Sequence, residues 1–186
     1  PLDVVEQMKA ELRPLLNHVN HRLLAIIDFS YNMSRGDDKR LEDYTAQIYK
    51  LISHDTHLLA GPSRPDVVSV INDLGIIIDS KAYKQGFNIP QAEEDKMVRY
   101  LDESIRRDPA INPTKWWEYL GASTEYVFQF VSSSFSSGAS AKLRQIHRRS
   151  SIEGSIITAK NLLLLAENFL CTNTINIDLF RQNNEI

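Results

Sequence analysis

Cysteine is nearly absent: Cys171 is the single one among 186 residues. No internal disulfide can form, so the fold must be held by its core, as suits a reducing compartment. Long apolar runs are missing as well. None approaches the ~20 residues that cross a bilayer, and the first residues lack the basic-then-apolar order of a secretory signal. There is no internal repeat and no low-complexity tract, which excludes a solenoid or a fibre. A basic excess is also lacking: 21 Lys+Arg stand against 24 Asp+Glu, a net charge of −3. A chain that grips nucleic acid by charge alone shows the opposite balance.

What is present is an ordinary globular composition, 42% hydrophobic and 24% charged. A chain of this length buries about 70% of its unfolded surface, enough for one core, so a single domain over residues 1–186 is expected. Helical spacing runs through residues 4–30, with Pro14 as an interruption, and again through 40–53. "HLLAGPSRP" reads as a loop. "DVVSVI" and "LGIIIDSKAY" are β-branched and flank Asn72-Asp73, a hairpin tip. "QAEEDKMVRYLDESIRRD" is a charged amphipathic helix with Met97, Tyr100, Leu101 and Ile105 on one stripe. In "NPTKWWEYL", Asn112 is expected to cap a helix that starts at Pro113. "TEYVFQFVS" alternates like a strand, 138–149 is helical, "GSIIT" is a short strand and "AKNLLLLAENFL" a helix. The mixed order is that of an α/β fold.

The hairpin carries the chemistry. A two-residue tip makes Ile71 face Leu74, and counting outward brings Asp66 opposite Asp79. Opposed residues project from one side of the sheet with Cβ atoms about 5 Å apart, and Lys81 shares that side with Asp79 because side chains alternate. A four-residue tip keeps this pairing and a three-residue tip breaks it. Two full charges that close cost about 3 kcal/mol at an effective dielectric of 20. Either one carboxyl holds a proton or a cation lies between them. Oxygen ligands with open positions suit Mg²⁺, and the backbone carbonyl of Ser80 is a further ligand. Lys81 would then orient or deprotonate a water or meet charge on phosphorus oxygens. The competing reading is a buried salt bridge from Lys81 to Asp79 or Asp66; the opposed second carboxylate favours the metal site.

Pro65-Asp66, twelve residues, then Asp79-Ser80-Lys81 is similar to the PD-(D/E)XK nuclease motif. "GPSRPD", "GIIIDSKAYKQGFNIP", "MVRYLDESIRRDPAINPTKWWEYL" and "FVSSSF" resemble the FokI cleavage domain and its type IIS relatives, and "ELRPLLNHVNHRLLAIID" and "RLEDYTAQIYKL" resemble that domain's leading helices. The resemblance implies a restriction-endonuclease-like core, a central mixed sheet flanked by helices. It implies Mg²⁺-dependent phosphodiester hydrolysis, with Mn²⁺ as a substitute, leaving 5′-phosphate and 3′-hydroxyl ends. Asp66 and Asp79 match the metal-binding acids and Lys81 the catalytic lysine; Glu42 matches an acid that reaches the metal through water, or is a solvated helical Glu. Asp95 and Arg99 match a dimerising pair, the alternative being an intrahelical ion pair worth a few tenths of a kcal/mol. Arg64, Lys84, Arg144, Arg148 and Arg149 are candidate DNA contacts, with a solvated helix end as the alternative for the last three.

The implied partners are double-stranded DNA and a larger, sequence-recognising nicking subunit. This chain would be the small subunit of a heterodimeric type IIS restriction endonuclease in a prokaryotic cytoplasm. No recognition domain is expected within it, and "SSSFSSGAS" lacks the lysine of the family's turn. A free-standing nuclease for ends, structures or damage and a silent scaffold on the same fold are the alternatives; the intact Asp66/Asp79/Lys81 set argues against the scaffold. His54 and His57 are expected to be structural or exposed, Trp116 and Trp117 to be core or interface, and Cys171 to be a buried filler.

Overall fold

The computed structural model describes residues 2–186, with side chains from Val4 onward. Its centre is a hairpin. Strands β2 (Val67–Ile71) and β3 (Leu74–Lys81) pair antiparallel in the register Ile71↔Leu74 through Val67↔Ile78. Asn72 and Asp73 form the tip with φ of 48° and 66°. Positive φ at both central residues is what a tight hairpin turn needs, and Asn and Asp tolerate it better than other side-chain-bearing residues.

The sheet grows on both sides of this hairpin. β1 (Asp55–Leu58) pairs antiparallel with β2. β4 (Glu125–Ser132), β5 (Gly154–Thr158) and β6 (Asn184–Glu185) follow β3 in parallel, so the sheet is mixed, in the order β1-β2-β3-β4-β5-β6. β3 is central and covered on both faces, which explains its unbroken Gly-Ile-Ile-Ile run. Gly154 opens β5 where the Phe128 ring crosses: a Cβ there would lie 2.5 Å from ring carbons.

Helices cover both faces. On one side α1 (Leu2–Leu12), α2 (Ala25–Ser30), α3 (Asp37–Ile52) and α6 (Ala159–Thr172) pack over Ile76, Ile78, Val127, Val131 and Ile157. On the other, α4 (Gln91–Arg106) and α5 (Ala139–Ser150) pack over Val68, Ile77, Phe128, Phe130 and Ile156. Alternation along β3 therefore turns Ile76 and Ile78 toward α3, and Ile77 and Asp79 toward α4.

Three expectations change, and the interruption expected at Pro14 is met. β1 begins just before the stretch read as a loop and takes in its first residues; four residues are too few to show a period, and the strand exists because it caps the β2 edge. The first helical region is split at Leu12, two residues before Pro14, and resumes as a 3-10 turn at His21–Leu24 before α2. "NPTKWWEYL" forms only a 3-10 turn, Trp116–Leu120. Asn112 Oδ1 accepts from the Thr114 N–H at 3.0 Å and its hydroxyl at 2.7 Å, capping a turn, and Lys115 at φ 49° stops a helix from growing out of it. Cys171 is exposed.

Candidate active site

The paired register ends at Val67↔Ile78, and Asp66 is the residue just before β2, next to the end of β3 that carries Asp79. Asp66 Oδ2 accepts from the Ser80 N–H at 2.7 Å, which ties the first carboxylate to the strand that carries the second. Ser80 itself points to the α3 face, where its hydroxyl donates to Thr45 Oγ1 at 3.2 Å. Asp79 is 1% exposed. Lys81 Nζ stands 2.7 Å from its Oδ2 and 2.9 Å from Glu93 Oε2. Asp79 Oδ2 is buried and faces the Lys81 ammonium at contact distance. Lys96 Nζ donates to Asp79 Oδ1 at 2.8 Å.

These neighbours split the two acids. Burial first, then the Asp79 and Glu42 carboxylates, push the Asp66 carboxyl up to about 8, against the opposing pull of Lys81 and the Ser80 N–H. Burial alone would raise Asp79 too, but the ammonium groups of Lys81 and Lys96 outweigh it and hold Asp79 below the usual carboxylate range. Lys81 is the mirror case: burial would lower it, yet Asp79, then Asp66 and Glu93, hold it above the ordinary lysine range. Without a metal the site is therefore one protonated acid, one carboxylate and a firmly charged Lys81.

Two hard oxygen donors, Asp66 keeping a proton at neutral pH and Asp79 buried and ionised against ammonium groups, form a donor set that fits a divalent cation in exchange for that positive charge. Glu42 is buried on α3 and pairs with Lys39 at 2.7 Å. Its effect on Asp66 places it at the same end of the sheet, so it is not a solvated helical Glu.

Glu93 and Lys96 were not singled out for the site from the sequence. A signal existed: 93, 96, 97 and 100 share one side of a helix, so both flank the Met97/Tyr100 stripe that packs inward.

The remaining candidates lie apart. Asp95 and Arg99 are both exposed on α4 but do not pair with each other. Asp95 accepts from Gln91 at 2.9 Å and pairs with Arg149 at 2.8 Å, while Arg99 leans toward Glu103 at 3.7 Å and over the Tyr100 ring. Arg149 also holds Glu94 at 2.8 Å and, with Lys142 at 3.3 Å from the same carboxylate, clasps α5 to α4. Arg144, Arg148 and Lys84 are exposed, and Arg64 is half-buried beside Gly61. Trp116 and Trp117 are buried in the core, His54 is exposed, and His57 pairs with Asp55. His18, Glu167 and Cys171 bring three metal-ligating atoms within 4.8 Å. Glu167 is already occupied there: it accepts the N–H groups of Asn17, His18 and Val19 and so closes the connection after α1.

Among the described residues no helix is long and apolar enough to cross a membrane. The family model described as "FokI, cleavage domain" matches residues 3–186. The type II restriction enzyme FokI of Planomicrobium okeanokoites is 32% identical over 169 residues, covering 88% of this chain and 29% of FokI. The type II restriction enzyme StsI of Streptococcus sanguinis is 31% identical over 170 residues, covering 89% of this chain and 28% of StsI. The solved structure of FokI superposes with a TM-score of 0.86, and that of FokI bound to DNA with 0.87. Each is 28% identical to this chain and covers 98% of it, while the chain covers 34% and 33% of theirs. The chain thus spans about a third of the relatives it matches, and it belongs to the FokI cleavage-domain family.

Proposed function

We propose that this domain is the cleavage unit of a type IIS restriction endonuclease, hydrolysing a DNA phosphodiester with a divalent cation, Mg²⁺ or in its place Mn²⁺. The observation that carries the reading is the opposed Asp66/Asp79 pair with Lys81 at 2.7 Å from Asp79. Asp66, Asp79 and the Ser80 carbonyl would hold the cation, with Glu42 behind Asp66 through water. When bound, the cation polarises the phosphoryl oxygen and acidifies a water. Asp66 would hold the cation as a carboxylate, without the proton that its surroundings otherwise favour. Lys81, kept charged by Asp79 and Glu93, meets the negative charge that grows on the phosphoryl oxygens; its raised pKa suits this role better than that of a base. The P–O3′ bond breaks, leaving a 5′-phosphate and a 3′-hydroxyl.

The finer reading is that the domain cuts one strand when a larger, sequence-recognising subunit brings it to DNA, and that the exposed Asp95/Arg99 face of α4 meets the second cleavage centre. The operating compartment would be a prokaryotic cytoplasm. Charge supports the dependence on recruitment. Lys39, Lys81, Lys96, Lys142, Arg149 and Arg181 are each already paired with carboxylates of the same chain. That pairing, together with a net charge of −3, reduces the basic groups left to neutralise phosphates, which is where non-specific DNA affinity comes from. A recognition subunit would raise the local concentration to about the millimolar range of tethered modules.

The test is a supercoiled-plasmid assay with Mg²⁺ at about 0.15 M salt, a physiological ionic strength. The domain alone is expected to be nearly inert, and the reconstituted pair to cut. Cutting by the isolated domain at the rate of the pair would replace recruitment with a free-standing nuclease.

A further inference from the structure

We infer that Lys96 is a built-in competitor for the metal: its ammonium occupies the Asp79 oxygen that the cation needs, and the site loads only when Lys96 swings away. The inference rests on the metal-site reading above. It begins with occupancy. Both oxygens of Asp79 are in contact with ammonium groups, Oδ2 with Lys81 at 2.7 Å and Oδ1 with Lys96 at 2.8 Å. Asp66 offers one oxygen already engaged by the Ser80 N–H. A cation shared between Asp66 and Asp79 must take an Asp79 oxygen, and a divalent ion about 2.1 Å from that oxygen cannot tolerate an ammonium on the same atom.

One of the two lysines has to yield, and their surroundings differ. Lys81 leaves a β-strand, its side chain is 16% exposed, and Glu93 grips it from the other side at 2.9 Å. Lys96 comes from α4, its side chain is 28% exposed, and its second carboxylate is farther, 3.6 Å to the same Glu93 oxygen. Its only other partner is the Tyr100 ring, 5.7 Å away. Lys96 has the weaker hold and the open side, and a long unbranched side chain can reach solvent without moving the helix.

The arrangement has a use. In the empty site Lys96 helps to keep Asp79 ionised and ordered, so the carboxylate is ready when the cation arrives. The ammonium it frees is then near the site's mouth, where the phosphodiester backbone would approach. Loading becomes an exchange of one positive group for another, and metal affinity without DNA is held down.

The experiment is a calorimetric titration of the folded domain with Mn²⁺, in the absence of DNA, for wild type, Lys96→Met, Lys96→Gln and Lys96→Arg. Lys96→Met and Lys96→Gln are expected to bind at least ~10-fold more tightly than wild type, about 1.4 kcal/mol. Lys96→Arg keeps the competitor and should stay within about threefold, which is about 0.65 kcal/mol. Should the methionine variant fold poorly, the glutamine variant answers alone, because it can still donate to Asp79 Oδ1 while lacking the charge. Equal or weaker Mn²⁺ binding by the neutral variants, with wild type binding normally, overturns the inference. No Mn²⁺ binding by any of the four proteins overturns the metal-site reading itself, and this inference with it.

Discussion

Two carboxylates, Glu167 buried and Asp66 half-buried, are treated in opposite ways. Glu167, on α6, accepts three successive backbone N–H groups and the His18 ring, and despite its burial these bonds pull it down to about 2. Asp66, at the mouth of the hairpin, has one backbone N–H, two other carboxylates as neighbours, and is pushed up to about 8. Both are acids inside a fold. The first is fully satisfied by the chain and closes a loop. The second is left short of positive charge, and that shortfall marks a place where something else binds.

The largest effect that would break this contrast is on cleavage. Asp79→Ala should leave the fold intact and lower metal-dependent cutting on the order of 10³-fold, and Lys81→Ala at least ~10²-fold, the scale of removing one aimed electrostatic group. Circular dichroism paired with the plasmid assay on the reconstituted complex checks both; wild-type-like cutting by folded Asp79→Ala would make the pair structural, like Glu167. Next in size is a stability effect at the other end. Glu167→Ala strands the buried Val19 N–H and frees two partly exposed ones at Asn17 and His18, and should cost about 2 kcal/mol, a fall in Tm of roughly 4–8 °C for a chain of this size, with cleavage of the folded protein unchanged.

The two acids should also give opposite pH slopes, measured as Tm in EDTA. Asp66 binds its proton more tightly when folded, so its contribution is most favourable below the ordinary carboxylate pKa and is lost as pH rises toward 8. Asp66→Asn should flatten that decline, and a divalent cation should stabilise wild type more at pH 8 than at pH 5. Glu167 is depressed, so its contribution is present above about pH 4.5 and is lost as pH falls toward 2; Glu167→Gln should flatten the acid side alone. A wild-type profile flat between pH 4 and 8 would contradict the strain at Asp66. The smallest change in the isolated domain is expected from Arg99→Asp, within about 0.5 kcal/mol as for an exposed site. Sedimentation of the complex on DNA should show weaker assembly; an unchanged assembly constant would remove α4 from the interface.

Most of the strands and helices were readable because their patterns are local. The elements that were missed had no local signal. β1 is four residues whose strand state is decided by the β2 edge. The turn at Trp116–Leu120 carries good helix-start residues, but Lys115 at φ 49° cuts the helix off. Cys171 sits at the end of an apolar helix, where a buried position was the natural inference, yet its side of α6 looks toward His18 and solvent.

The candidate site divides along the same line. Asp66, Asp79 and Lys81 come together through sequence alone, because an Asn-Asp tip sets the register of a two-residue hairpin and strand alternation does the rest, all within sixteen residues. Glu93 and Lys96 could join them only after α4 had packed. The rotation of that helix about its axis is set by Met97, Tyr100 and Leu101 entering the same core as Ile77 and Phe130, and by the Arg149 clasp from α5. Register is a property of neighbouring residues along the chain. Helical spacing puts Glu93 and Lys96 beside the inward stripe, but which carboxylate an ammonium on a distant helix will neutralise depends on how two layers dock.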